Sequence, residues 1–236
     1  MKQAREWLEC ASAVVVLTGA GISAESGVPT FRGQGGLWKQ FRAEDLATPE
    51  AFGRNPRLVW EWYDSRRTAL AAVEPNAGHR ALARLETRKA RFTLVTQNVD
   101  GLHERAGSRN VLKLHGDIWT VRCVKCGRER REERTPLPEL PPRCDCGGML
   151  RPGVVWFGEP LPGDVWERAE EATREAEVLL VVGTSATVYP AAGLVPMAMN
   201  AGARVIECNM EETPFSSGLD RSFRGRAGEL LPQLIV

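Results

Sequence analysis

"AVVVLTGAGISAES", residues 13 to 26, decides how the rest of the 236-residue chain is read. Ala13 to Leu17 is a short run of alanine, valine and leucine with no polar alternation, the pattern of a strand covered on both faces. A glycine-rich turn follows at once. Gly19, Gly21 and Ala24 fit G-x-G-x-x-A placed directly after a strand, the context a dinucleotide fingerprint demands. Gly19 permits a tight turn, and Gly21 would let backbone amides approach a pyrophosphate at a helix N-terminus. Taken alone, the glycines also fit a plain strand-to-helix turn.

Three further runs share the character of the first: Phe92 to Thr96, Val178 to Val182 and Arg204 to Glu207. Helical patterns flank them at Lys2 to Cys10, Gly78 to Leu85, Asp164 to Ala176 and Ala191 to Ala201. Strands alternating with helices predict an α/β fold with a Rossmann-type, doubly wound parallel sheet. Two segments break the rhythm. Residues 34–77 are helical with prolines, and residues 119–152 carry four cysteines, five prolines and the charge run "GRERREER", read as solvated surface. The expected organisation is a large domain from 1–33, 78–118 and 153–236. A helical module (34–77) and a cysteine ribbon (119–152) would form a small domain, with a ligand cleft between the two.

Composition narrows the function class. Hydrophobic residues at 43% and charged residues at 26% suit an ordinary globular chain, and a net charge of +1 offers no footprint for nucleic acid or a membrane surface. The N-terminus, MKQAREWLEC, is charged and does not read as a signal peptide. No apolar run approaches the ~20 residues that span a bilayer. Six cysteines without an export signal point to a reducing, cytoplasmic setting. Cys10 and Cys208 stand alone and are expected to be inert packing residues.

The other four cysteines form two close pairs, Cys123-x-x-Cys126 and Cys144-x-Cys146, with 17 residues between the pairs. Four thiolates suit a tetrahedral Zn²⁺, and with no ligand position left open the metal would be structural. Charged residues and prolines around the set could not build a core alone, so metal would supply folding energy. Disulfides are the alternative.

Polar residues gather after the second run, where Gln97, Asn98 and Asp100 sit at a strand end, the catalytic rim of this fold class. A turn capped by Asn and Asp would look the same. Of three histidines, only His115 stands at a strand end beside a glycine, which makes it the candidate general base against a structural reading. The acidic residue a dehydrogenase carries ~20 positions after its glycines has no counterpart on a second strand. Asn209 or Glu211, after "RVIECN", are better ribose contacts, and Phe31 with Arg32 offer a ring and a cation on the loop after the glycines.

One helical stretch is unusual. In "RLVWEWYDSRR", residues 57 to 67, the apolar stripe Val59, Trp62, Tyr63, Ala69, Leu70 and Val73 passes through Arg66. The residues three and four positions from Arg66 are Trp62, Tyr63, Ala69 and Leu70, none acidic, whereas Arg67 has Asp64 three residues back. Arg66 could snorkel or pair with a distant carboxylate; it could also receive a carboxylate from a ligand.

Taken together, GAGISAESGVPTFRG, TQNVDGLH, LHGDIW, the four-cysteine insertion, RPGVVWFGE, GTSATVYPAAG and CNME, in that order, closely resemble the sirtuins, NAD-dependent protein-lysine deacylases, over nearly the whole chain. The resemblance implies NAD as co-substrate and one structural Zn²⁺ on Cys123, Cys126, Cys144 and Cys146. It also implies acylated-lysine proteins as substrates, bound as extended peptides. It implies an NAD loop from Gly19 to Trp38, with Gly19, Ala20, Gly21, Ile22, Ser23, Phe31, Arg32 and Trp38 as contacts. Gln97, Asn98, Val99 and Asp100 would meet nicotinamide and its ribose. Gly183, Thr184, Ser185, Asn209, Met210, Glu211 and Ala227 would hold the adenosine half. His115 would be the base. Val154, Phe157, Gly158 and Glu159, with Val188 and Tyr189, would form strands that sandwich the peptide by β-augmentation. Tyr63-x-x-Arg66 resembles the signature of the class III subgroup, which favours succinyl and malonyl groups, and Ala47 in "DLATP" would leave room for them. No membrane or nucleic-acid partner is expected, and a monomer is. The rival readings are a mono-ADP-ribosyltransferase, a hydride-transferring dehydrogenase and a non-enzymatic zinc-ribbon module.

Overall fold

The computed structural model describes residues 1–30 and 42–235. Among these, six parallel strands form the larger sheet in the order β3-β2-β1-β7-β8-β9. They are β1 (Ala13–Thr18), β2 (Arg91–Thr96), β3 (Val111–Lys113), β7 (Val178–Val182), β8 (Arg204–Asn209) and β9 (Arg221–Arg224). A smaller antiparallel sheet, β5-β4-β6, is built from β4 (Gly116–Cys123), β5 (Glu129–Arg131) and β6 (Leu150–Val154). The helices are α1 (Lys2–Cys10), α2 (Ala43–Leu46), α3 (Pro49–Arg54), α4 (Pro56–Ala71), α5 (Ala77–Thr87), α6 (Leu102–Arg105), α7 (Gly163–Arg174), α8 (Leu194–Asn200) and α9 (Ala227–Leu234). None is long and apolar enough to cross a membrane.

The burial of β1 explains its unbroken apolar run. Val14 and Val16 pack into one core with residues of α1, α5 and α9, while Val15 and Leu17 pack into a second with residues of α7 and α8. Both faces are covered, so no position in the strand needs to be polar. The four runs read from the sequence are the four central strands. Two edge strands escaped that reading. β3 has three residues, and β9 is "RSFR", too polar to stand out from a loop.

The order of strands reverses at β1, which pairs with β2 on one side and β7 on the other. Sheets of this kind bind ligands beyond the strand C-termini at such a point. The loop after β1 is a 3₁₀ turn over Ala20–Ser26 and not the α-helix that the fingerprint suggested. Its glycines serve close packing. Gly19 N–H donates to Val182 O (3.1 Å) and Gly21 N–H to Gly183 O (2.8 Å), so the two amides are engaged by the end of β7 and the loop after it. A Cβ on Gly21 would lie 2.7 Å from Gly183 Cα and O, a collision that excludes any larger residue.

A third core joins α3, α4 and the smaller sheet. Here the stripe read from sequence is rotated. α4 buries Val59, Trp60, Tyr63, Asp64, Arg67 and Leu70. The fully buried arginine is therefore Arg67, at 0% exposure, and not Arg66. Its guanidinium donates to three carbonyls, Ile118 O (2.9 Å), Glu132 O (2.6 Å) and Arg134 O (2.9 Å), and faces the Trp119 ring at 5.2 Å. Asp64 accepts Leu137 N–H at 3.0 Å, and Trp60 Nε1–H donates to Leu150 O at 2.7 Å. The irregular chain between the cysteine pairs thus finds partners for its backbone groups on α4, which is why polar residues face inward there. The charge run is not uniformly solvated either. Glu132 is buried, and Arg134 beside it pulls its carboxyl down to about 2.

Candidate active site

β3 ends at Lys113 in the larger sheet and β4 begins at Gly116 in the smaller one, so His115 stands where the chain passes between them. It lines a cleft of about 860 Å³. From the larger sheet come Gly19, Ala20, Gly21, Gln97, Asn98, Val99, Gly183, Thr184, Ser185, Asn209, Met210 and Glu211. From the opposite side come Ala47, Tyr63, Arg66, Val154, Phe157, Gly158 and Glu159, with Val188 at the rim. Widely separated motifs therefore meet in one place.

Of the three histidines only His115 lines this cleft. Its Nδ1 lies 3.0 Å from Gln97 O. A carbonyl only accepts, so Nδ1 carries the proton and Nε2 keeps the lone pair of the neutral ring. Burial pushes the His115 pKa below its ordinary value and thereby favours that neutral form. His79 and His103 are buried behind the wall, ring centroids 4.9 Å apart. Desolvation takes His79 down to about 4 and His103 well below its usual value, so both stay neutral.

Several expected contacts do not reach the cleft. Ile22, Ser23 and Asp100 are buried behind its lining. Ser23 Oγ–H donates to Asp100 Oδ2 at 2.8 Å, Asn98 Nδ2 donates to Gly19 O at 3.0 Å, and Asp100 Oδ1 accepts Leu102 N–H at 2.9 Å. These groups brace the first loop against the second. Ala227 opens α9, which packs against α5 and the loop after β1, and is buried in the core and not in the cleft lining. Phe31, Arg32 and Trp38 lie outside the described residues. Among the described residues the two stretches expected to sandwich a peptide have no strand partner of their own. β6 stops at Val154, residues 157–158 form a turn with Gly158 at φ +85°, and residues 188–190 bend. Phe157 N–H donates to Ala47 O at 3.0 Å and Val155 N–H to His115 O at 2.9 Å, so this segment is already tied to both sides of the cleft.

Sequence reasoning missed Trp62, Trp156, Leu161 and Trp166, all of which line the cleft. A wall this aromatic suits an aliphatic chain. The Arg66 guanidinium lies 4.6 Å from the Trp62 ring centroid and 5.8 Å from that of Tyr63, and burial pushes its pKa down from the ordinary value. Tyr63 is buried, and desolvation raises its pKa, so its hydroxyl stays protonated.

The wall formed by Gln97, Thr184 and Asn209 is shaped by hydrogen bonds among its own members. Gln97 Nε2 donates to Thr184 Oγ1 at 2.8 Å, and Asn209 Nδ2 to Thr184 O at 2.9 Å. Behind them Glu207 is fully buried and accepts from Thr213, Ser216, Ser222 and Arg224 at 2.6–2.7 Å. These bonds hold its carboxyl below the usual range against the opposing effect of burial, and they fix the loop after β8.

The four cysteines converge as their spacing predicts, with all four Sγ atoms within 4.8 Å of one another. Sγ–Sγ distances of 3.5 Å (Cys123–Cys146) and 3.8 Å (Cys126–Cys144) are far beyond a disulfide and close to the ~3.8 Å edge of a tetrahedron with ~2.3 Å Zn–S bonds. The Cys126 amide, pointing at Cys123 Sγ, leads the contacts that draw that thiol down to about 6, toward the thiolate a metal needs. The donor set fits a structural Zn²⁺. Asp145, between the last two cysteines, turns outward to Arg128 at 3.4 Å and leaves the cluster undisturbed. Of the two solitary cysteines, Cys208 is buried and pushed up to about 12 by burial, but Cys10 is exposed and not part of the core.

Comparisons with known proteins point the same way. The sequence model of the Sir2 family matches residues 19–190. An NAD-dependent protein deacylase of Aquifex aeolicus is 61% identical over 215 residues, 91% of this chain and 90% of that protein. A Sir2 homologue solved in complex with NAD superposes at a TM-score of 0.94 with 47% identity, covering 100% of this chain and 92% of that one. A Sir2 enzyme solved with a p53 peptide and NAD⁺ superposes at 0.89 with 32% identity, covering 99% of this chain and 96% of that one.

Proposed function

Because the chain belongs to the Sir2 family, we propose that it is an NAD-dependent protein-lysine deacylase that removes acetyl groups and acidic acyl groups such as succinyl and malonyl. NAD is the co-substrate, held by the loops after β1, β2, β7 and β8, and Zn²⁺ on the four cysteines keeps the smaller sheet folded. The acyl-lysine enters from the side of Val154–Glu159. Its amide oxygen attacks C1′ of the nicotinamide ribose, and the bond to nicotinamide breaks. Neutral His115 then takes the proton of a ribose hydroxyl through Nε2, and that oxygen attacks the imidate carbon. Water completes the release of free lysine and O-acyl-ADP-ribose. The observation that carries this reading is His115, neutral and oriented by Gln97 O, in the same cleft as the NAD-type loops.

Acidic-acyl preference rests on Tyr63 and Arg66 lining the inner wall next to Ala47. A guanidinium fork pairs with a carboxylate in bidentate fashion, and the Tyr63 hydroxyl adds a donor. Incubation with NAD and acetyl- or succinyl-lysine peptides tests both levels. Nicotinamide must form only when NAD and peptide are both present; formation of NADH instead would overturn the deacylase reading. Arg66→Met should cost about 2–4 kcal/mol in kcat/KM for the succinyl peptide, the scale for truncating one partner of a buried charge pair. Equal loss on both acyl groups would make Arg66 structural.

A further inference from the structure

The Tyr63 hydroxyl is held by a residue of a distant segment on the same side of the cleft, in the same core. Trp156 Nε1–H donates to Tyr63 Oη at 3.0 Å, joining two buried side chains 93 positions apart. An indole N–H only donates, so at this contact the tyrosine oxygen must accept. The hydroxyl's own proton is then directed to a different partner. The indole has little room to move, being only 3% exposed. The Arg151 guanidinium lies over its face at 3.5 Å, and the Phe52 ring packs at 5.3 Å. Glu159 binds Arg151 through both oxygens (2.5 and 2.8 Å) and also accepts the Trp156 backbone N–H at 2.8 Å. A chain of contacts therefore runs from Glu159 through Arg151 and Trp156 to Tyr63, and Tyr63 lies one helical turn from Arg66.

We propose that Trp156 is a positioning residue for acyl specificity: its indole N–H fixes the Tyr63 hydroxyl as a donor into the cleft beside Arg66. The inference rests on the reading of Tyr63 and Arg66 as the pair that receives an acyl carboxylate. It adds that recognition is written on two segments, α4 and residues 154–159. Without the indole N–H the hydroxyl becomes a loose rotor, and a donor that must be oriented at each binding event contributes less. Glu159, which also lines the cleft, holds Arg151 and hence the indole.

The test is a double-mutant cycle on the full-length zinc-bound protein, reading kcat/KM for succinyl- and acetyl-lysine peptides at saturating NAD. Trp156→Phe keeps an aromatic ring beneath Arg151 and deletes the N–H. It should lower the succinyl-to-acetyl ratio by about 3- to 10-fold, the worth of one neutral hydrogen bond, mainly through the KM of the succinyl peptide. In a Tyr63→Phe background the same substitution should change the ratio by less than about 2-fold, because the hydroxyl it acts through is gone. The benzothienyl analogue of tryptophan at position 156, which replaces N–H by sulfur with the ring shape kept, should reproduce the loss even if the phenylalanine variant folds poorly. If Tyr63→Phe lowers the ratio but neither change at Trp156 does, or if the losses are fully additive, the positioning role is overturned and the acyl reading stands. If Tyr63→Phe leaves the ratio unchanged, both fall together.

Discussion

Arg67→Met removes the three charge-assisted bonds that pin α4 to the cysteine-bearing segment. The guanidinium is fully buried and reaches Ile118 O, Glu132 O and Arg134 O at 2.9, 2.6 and 2.9 Å. Bonds of this kind contribute at least about 1.5 kcal/mol each, so their loss costs about 4–5 kcal/mol. Part is offset, because Arg67 Nε has no hydrogen-bond partner among the described residues and burial already disfavours the charge. Relief of that burden returns about 1–2 kcal/mol, leaving a net loss of about 3 kcal/mol. Urea denaturation followed by tryptophan fluorescence reads this directly. With a slope of about 2–3 kcal/mol/M the midpoint should fall by about 1 M. A shift below about 0.3 M would mean that the three carbonyls find other partners, and the clamp would be refuted. Arg67→Lys should recover little, since an ammonium cannot span three carbonyls as a planar fork does.

Two further outcomes follow from the buried histidines and the thiolates. His79 has a folded pKa of about 4 against an ordinary 6.5, so between these values the unfolded chain binds the extra proton and stability falls as pH drops. The loss from this residue between pH 7 and 5 should be about 2 kcal/mol, read as a lower urea midpoint; His103 adds to it with the same sign, and an undiminished slope in His79→Gln would exclude His79 as a source. Metal analysis should find about one zinc per chain, and its removal should lower the melting temperature by more than about 10 °C. Unchanged melting without metal would show that the smaller sheet stands without it.

The central strands were legible because burial on both faces leaves an unbroken apolar run, and the zinc set was legible because its ligands are paired in sequence. Edge strands carry no such signal, as β3 and β9 show. The rotation of α4 was hidden for another reason. Asp64 and Arg67 face inward because their partners are backbone groups more than 50 positions away, and periodicity registers side-chain polarity alone. The same distance concealed Trp156, whose partner lies on α4. Ile22, Ser23, Asp100 and Ala227 belong to cleft-forming motifs but stand behind its wall or beyond it, a distinction of depth that a linear motif does not encode.

The central claim is that His115, as a neutral base, drives NAD-dependent removal of the acyl group. The direct measurement is mass-spectrometric quantification of free lysine peptide, O-acyl-ADP-ribose and nicotinamide from one reaction, for the native protein and His115→Tyr, across pH 5 to 8. The native protein should form the three in equal amounts and lose turnover as pH falls through a value below the ordinary ~6.5, the direction burial imposes on His115. His115→Tyr should yield almost no deacylated peptide at any pH. Full turnover in that variant, or nicotinamide release with the acyl group still on the peptide, would contradict it.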